Sequence, residues 1–222
     1  MPIHRSTLVG LDIGKRQDYT ALAVVEREQW VPALSETGQD EMTLEKKPRP
    51  AIYHVRHLER LPLGTLYTAV AEYMQAFWPR VSRHHGRPVL LADRTGVGDV
   101  VVDLLRKVGL WPQPVLVHWG MEAAHWHGDS WHVPKAELVG RIAVLSEGAT
   151  PRLRLGERLP FAREVRRELQ SFRADQNRQT GYISYEAYRE QDHDDLVYAL
   201  AMIAWWGETW GNRHMQYKEL WN

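Results

Sequence analysis

Four aspartates pose the chemical question in this sequence of 222 residues: Asp12 in LVGLDIGKRQDYTALAVV, Asp93 closing PVLLAD, and Asp194 with Asp195 opening DDLVYALAMIAWW. Asp12 and Asp93 stand at or near the ends of apolar runs that read as buried strands, where an ionised carboxylate without a partner is costly. Acids this far apart along a chain can share one partner if the fold brings them together. A hard divalent cation with oxygen ligands is the simplest species that would stabilise three or four of them at once. Each acid also has a plainer reading. Asp12 in DIG can open a turn, Asp93 can pair with Arg94, and Asp194 or Asp195 can cap the helix that follows.

The elements that would have to position these acids can be read from periodicity. Residues 7–13 and 20–28, rich in Leu, Val and Ala and separated by GKRQDYT, predict a hairpin of two strands, and 51–58 predicts a third. The polar, Pro-bearing segment 32–50 between them predicts an exposed loop or insertion. Helical spacing through Leu66, Val70, Tyr73, Met74 and Phe77 predicts a helix within 64–84 that Pro79 ends or kinks. From there the pattern becomes doubly wound: a strand at 87–93, a helix in GVGDVVVDLLRKVG stopped by Gly109, and a strand at 113–119. A right-handed crossover between parallel strands follows from that succession. The stretch GMEAAHWHGDSWHVP reads as irregular, VPKAELVGRIAVLSEG starts a helix near Pro134, and RLPFAREVRRELQSF makes another. A short strand at 179–185, a last helix from about 194 to 209 and a tail over 210–222 complete the chain. The expected architecture is α/β: a single domain over 1–222 with a mixed sheet, an antiparallel hairpin meander plus parallel strands, flanked by helices on both faces.

Composition restricts the partners. Lys and Arg number 28 and so do Asp and Glu, so the molecule as a whole has no field that would draw in a polyanion. A nucleic-acid surface would have to be local. One place for it is the stretch from Arg152 to Arg178, with eight arginines against four acids, although a solvated helix face with spaced ion pairs gives the same pattern. Cysteine is absent, which excludes disulfides and thiolate chemistry and fits a reducing compartment. No apolar run reaches the length of a membrane span and no signal-peptide core opens the chain, so a cytoplasmic location is expected.

Taken in order, LDIGKRQDYTALAVV, LLADRTGVGDVVVDLL, HVPKAELVGRI, RELQSF and HDDLVYALA resemble the ribonuclease H-like superfamily, and within it the nuclease domain of the large terminase subunit of tailed bacteriophages. These motifs span about residues 8–205. The resemblance implies a ribonuclease H-like mixed sheet and a metal-dependent endonuclease that cleaves double-stranded DNA with little sequence preference during genome packaging. It also implies two Mg²⁺ or Mn²⁺ ions held by Asp12, Asp93, Asp194 and Asp195, with Asp12 bridging the pair, Asp93 on one ion and Asp195 on the other. Asp18 and His193 are implied as neighbours that assist the ligands. Lys135, Arg163, Arg166, Arg167 and Arg173 are the residues expected to meet the DNA backbone. In the full system, the partners implied are a terminase ATPase domain, the small terminase subunit and the portal. No GxxxxGK[ST] loop occurs here, so the likeness is to the nuclease part alone.

Other readings share parts of this pattern. A resolvase for four-way DNA junctions uses the same carboxylate logic, and DIGKRQDYTALAVV also resembles the first phosphate loop of actin-like phosphotransferases. A nuclease fold kept only to dock DNA is a third. The His- and Trp-rich segment 118–132 does not match the spacing of a closed zinc site and is expected to be an ordered DNA-facing loop or a packing flap.

Overall fold

The computed structural model describes residues 3–14, 18–31, 49–83, 87–171, 175–176, 183–184 and 194–211. Three strands come first: Ile3–Asp12 (β1), Ala21–Trp30 (β2) and Ile52–Arg60 (β3), forming an antiparallel meander. Tyr67–Val81 (α1) follows and runs two residues beyond Pro79. Val89–Asp93 (β4), Gly98–Lys107 (α2) and Gln113–His118 (β5) make the expected strand, helix and strand, with β4 parallel to both β1 and β5. His125–His127 (β6) and Ser130–Pro134 (β7) then form a hairpin whose second strand pairs in parallel with β5. Lys135–Ser146 (α3), Leu153–Leu155 (β8), Ala162–Ser171 (α4), the short pair Asp175–Gln176 (β9) and Ile183–Ser184 (β10), and Asp195–Thr209 (α5) complete the described elements.

The eight-stranded mixed sheet has the order β6-β7-β5-β4-β1-β2-β3-β8, so β1 lies at its middle. Strand alternation sorts its side chains onto two cores. Val9, Leu11, Leu22, Leu90 and Ala92 pack with α1 and α2 on one face. Leu8, Ala23, Val25, Leu91, Val115 and Val133 pack with α3, α4 and α5 on the other. The result is three layers, helices on both sides of a sheet. The parallel strands β1, β4, β5 and β7 end at one edge of the sheet. The antiparallel β3 ends there too, because Arg60 is paired with Ala21 at the start of β2.

The sequence-based expectation for GMEAAHWHGDSWHVP is corrected here: its second half is the β6–β7 hairpin and not irregular chain. Gly128, at a φ of 60°, opens the two-residue turn Gly128-Asp129. The two strands are too short and too rich in His for apolar alternation to announce them. The strand β8 was also not expected; three residues pairing in parallel with β3 leave almost no periodic signal. Most of the segment read as a loop at 32–50, most of the strand expected at 179–185, and the tail after 211 lie outside the described residues.

The helix α5 is buried on nearly every side and lies across β1 and β2 against α3 and α4. Its closest approach is at Gly10, where an added Cβ would lie 2.2 Å from the backbone oxygen of Ala199. Only glycine lets the helix sit this low on the central strand. Gly10→Ala is therefore expected to destabilise the protein by about 2–3 kcal/mol, a fall of roughly 5–10 °C in melting midpoint. A midpoint within about 1 °C of wild type would show that α5 is not seated on β1 in this way.

Candidate metal centre

Gly10 and Asp12 are two residues apart on β1 and share the α5 face, as do Leu91 and Asp93 on β4. The parallel ladder pairs Leu11 with Ala92, so its next rung sets Asp12 beside Asp93, with backbones about 5 Å apart. Ala199, one turn inside α5, touches Gly10, and the helix N-terminus with Asp194 and Asp195 therefore reaches the carboxyl end of the strands. Three segments distant in sequence meet at one point on the sheet edge. In open α/β sheets this edge is where ligands bind.

Electrostatics report the same convergence. Asp12 is partly buried, and the proton affinity of its carboxyl stands well above the usual carboxylate range. Burial is the first cause, and the negative charges of Asp93, Asp195, Asp194 and Asp18 add to it in that order. Asp12 thus feels the four other aspartates named from the sequence. Asp18 is exposed at the mouth of the β1–β2 turn, where the Thr20 hydroxyl accepts the Gly14 N–H at 3.1 Å.

Two plainer readings of these acids do not describe the geometry. Arg94 pairs with Asp99 at 2.6 Å and with Asp129, while Asp93 Oδ1 accepts the Thr95 N–H at 2.9 Å. Asp194 occupies the N-cap position of α5 but makes no side-chain cap hydrogen bond. That duty falls to Glu168 of α4, whose Oε2 accepts the Val197 N–H at 3.0 Å. Glu168 also accepts from Arg60 Nη2 at 2.7 Å, and the same nitrogen lies 3.4 Å from Asp195 Oδ2. Burial, the largest influence, pushes the Glu168 carboxyl up to about 7 against the opposing pull of Arg60 and the Val197 amide.

Lys135 opens α3 at the end of β7, on the same edge of the sheet. Its ammonium lies 4.5 Å from the Trp119 ring centroid and 5.1 Å from that of Tyr198. Burial lowers its proton affinity, and the Asp194 charge partly restores it. The arginines of α4 are placed differently. Arg163, Arg166 and Arg167 are exposed on the side of the helix opposite Val165 and Glu168, so they do not converge with the carboxylates. His193 and Arg173 lie outside the described residues.

Arg60 and Glu168 are the residues that sequence reasoning missed. Glu168 sits in the RELQSF motif but reads there as one of several acids balancing a row of arginines. Arg60 carries no signal at all, since the irregularity that aims it belongs to strand pairing.

Among the described residues, no three His, Asp or Glu side chains are disposed as they stand to hold a metal ion. The donor chemistry nevertheless fits a hard divalent cation. Carboxylate oxygens from Asp12, Asp93 and the Asp194-Asp195 pair are gathered at a half-buried edge, and their mutual repulsion is what raises Asp12 beyond the effect of burial. Comparison with family models, with curated proteins and with solved structures finds no match to this chain in any of the three. Among the described residues, no helix is long and apolar enough to cross a membrane.

Proposed function

We propose that this chain is a metal-dependent endonuclease of the ribonuclease H-like kind, resembling the nuclease domain of a phage terminase large subunit and acting on double-stranded DNA. The observation that carries this reading is the meeting of Asp12 with Asp93, Asp194 and Asp195 at the carboxyl edge of a central parallel pair, where each of those three raises the proton affinity of Asp12. The arrangement of the sheet supports it, with an antiparallel meander joined to parallel strands and a C-terminal helix laid across β1.

Asp12, at the centre of the sheet, would hold Mg²⁺ or Mn²⁺ ions together with Asp93, Asp194 and Asp195. Bound there, the ions would activate a water and stabilise charge on the leaving oxygen of a phosphodiester. The protein's own part is to hold the acids apart from bulk solvent and to neutralise the approaching backbone. Among the described residues, Lys135, half-buried against Trp119 and next to Asp194, is the cation best placed to meet a phosphate. Arg163, Arg166 and Arg167, on the outer side of α4, would engage DNA only at a distance from the cleaved bond.

The direct test is digestion of supercoiled plasmid by the purified chain in millimolar Mn²⁺ or Mg²⁺, with EDTA as the control. Cleavage with little sequence preference is expected, on linear duplex as well as plasmid. Absence of cleavage by folded protein in Mn²⁺ would sink the proposal. Strong preference for a four-way junction over linear duplex would reassign the same centre to a junction resolvase.

A further inference from the structure

The strand β3 contains a bulge. Val24 pairs with His57 but Val25 with Val55, so Arg56 is an extra residue and the alternation of β3 changes phase there. Before the bulge, Tyr53 and Val55 face the α5 core; after it, Leu58 does. His57 and Glu59 are turned to the other face, where His57 lies against the Phe77 ring at 5.0 Å and Glu59 accepts from the Tyr73 hydroxyl. Arg60, in phase with Leu58, is thereby aimed at the N-terminus of α5. A strand in unbroken register would have sent Glu59 there.

What Arg60 meets is a second buried carboxylate. Its Nη2 donates to Glu168 at 2.7 Å and stands 3.4 Å from Asp195, while the guanidinium carbon lies 5.0 Å from the Tyr19 ring centroid. Glu168 uses its other oxygen on the Val197 amide, two residues beyond Asp195. Arg60 Nε is buried with no hydrogen-bond partner among the described residues. A buried ion pair with a donor to spare is a poor device for stability, since replacing such pairs by apolar groups of similar size is often neutral or stabilising. Its effect here is on position: one guanidinium and one carboxylate fix both the backbone and the side chain at the first turn of α5.

From this we infer that Arg60 and Glu168 are positioning residues that set where Asp195 is presented to the divalent ions, an inference that rests on the metal-dependent reading above. Arg60 holds a positive charge against Asp195 before an ion enters, and Glu168 keeps both Arg60 and the helix end in place. Neither residue is a ligand. Partners of ligands in such shells alter metal affinity or activity by about 10–100-fold when removed.

The discriminating variant is the double replacement Arg60→Met/Glu168→Met, which removes both charges together. Its melting midpoint in EDTA is expected within about 5 °C of wild type or above it. The Mn²⁺ concentration giving half-maximal thermal stabilisation, and that giving half-maximal plasmid cleavage, should rise by about 10–100-fold, with cleavage at saturating Mn²⁺ much less affected. A merely structural pair would lower the EDTA midpoint and leave the Mn²⁺ requirement where it was. That result overturns the inference. Should the double variant not fold, Arg60→Lys keeps one positive charge but loses the planar fork that reaches both carboxylates, and its Mn²⁺ requirement should rise by at least about 10-fold. An unchanged requirement in Arg60→Lys overturns the inference as well. If wild type itself shows no Mn²⁺-dependent stabilisation, the metal reading fails first and the inference falls with it.

Discussion

Asp12→Asn is expected to lower Mn²⁺-dependent plasmid cleavage by at least about 1,000-fold, a loss of roughly 4 kcal/mol of transition-state stabilisation. Asparagine matches aspartate in size and keeps one acceptor oxygen, so packing at the end of β1 changes little. What disappears is one of the negative charges that would hold the ions. Without it, the charge left to hold the ions comes from Asp93, Asp194 and Asp195 alone. The same change removes a carboxylate that burial and four neighbouring acids hold well above its usual range. The metal-free variant should therefore melt at or above the wild-type midpoint near neutral pH. This pairing of lost activity with undiminished stability separates a ligand from a turn residue. A loss of cleavage accompanied by a drop of several degrees in EDTA would point to the turn, and cleavage at the wild-type rate would remove Asp12 from the centre.

The course of the chain to this site was partly written in its sequence. Apolar runs ending in Asp12 and Asp93 marked two strands because both are buried on two faces, and such runs are continuous. The apolar stretch after Asp195 marked α5 for the same reason. From this much, the meeting of the acids could be anticipated. Their surroundings could not. The pairing of Arg60 with Glu168 spans 108 positions, and it depends on a bulge that exists only when β2 and β3 are laid side by side. The cap of α5 shows the same limit: sequence rules assign the N-cap to Asp194, and a buried carboxylate from another helix takes the duty instead. The β6–β7 hairpin had one local signal, the Gly128-Asp129 pair, set among His and Trp residues whose polarity hides alternation. Local periodicity reports burial, whereas turns, bulges and long-range ion pairs report contacts between segments.

The second large effect concerns pH and metal together. Glu168 is raised to about 7 in the folded protein and Asp12 is raised well above its ordinary value, whereas both fall to ordinary carboxylate values on unfolding. Over the interval between those values, the native state binds more protons than the unfolded state, so stability falls as pH rises. The contribution is fully present below about pH 4.5 and is lost as pH rises through about 7, on the order of 3 kcal/mol at most for Glu168 alone. Asp129, lowered by its hydrogen bond from Arg94, acts the other way, and two more groups do the same. His132, lowered by partial burial and by neighbouring histidines, and Glu208, lowered by Arg152 and Tyr53 against its burial, both lose stability toward acid. The metal-free protein should then melt several degrees higher near pH 5.5 than near pH 8. Millimolar Mn²⁺ should reverse the slope, because a cation binds ionised acids, displaces their protons and stabilises more as pH rises. Melting scans across this range, with EDTA and with Mn²⁺, check both halves. Asp12→Asn isolates one cause, since it should remove the Asp12 share of the EDTA slope, leave that of Glu168, and abolish most of the Mn²⁺ response while leaving the opposing groups intact. Parallel profiles for wild type and Asp12→Asn would mean that the clustered acids neither repel one another in the metal-free protein nor gather an ion.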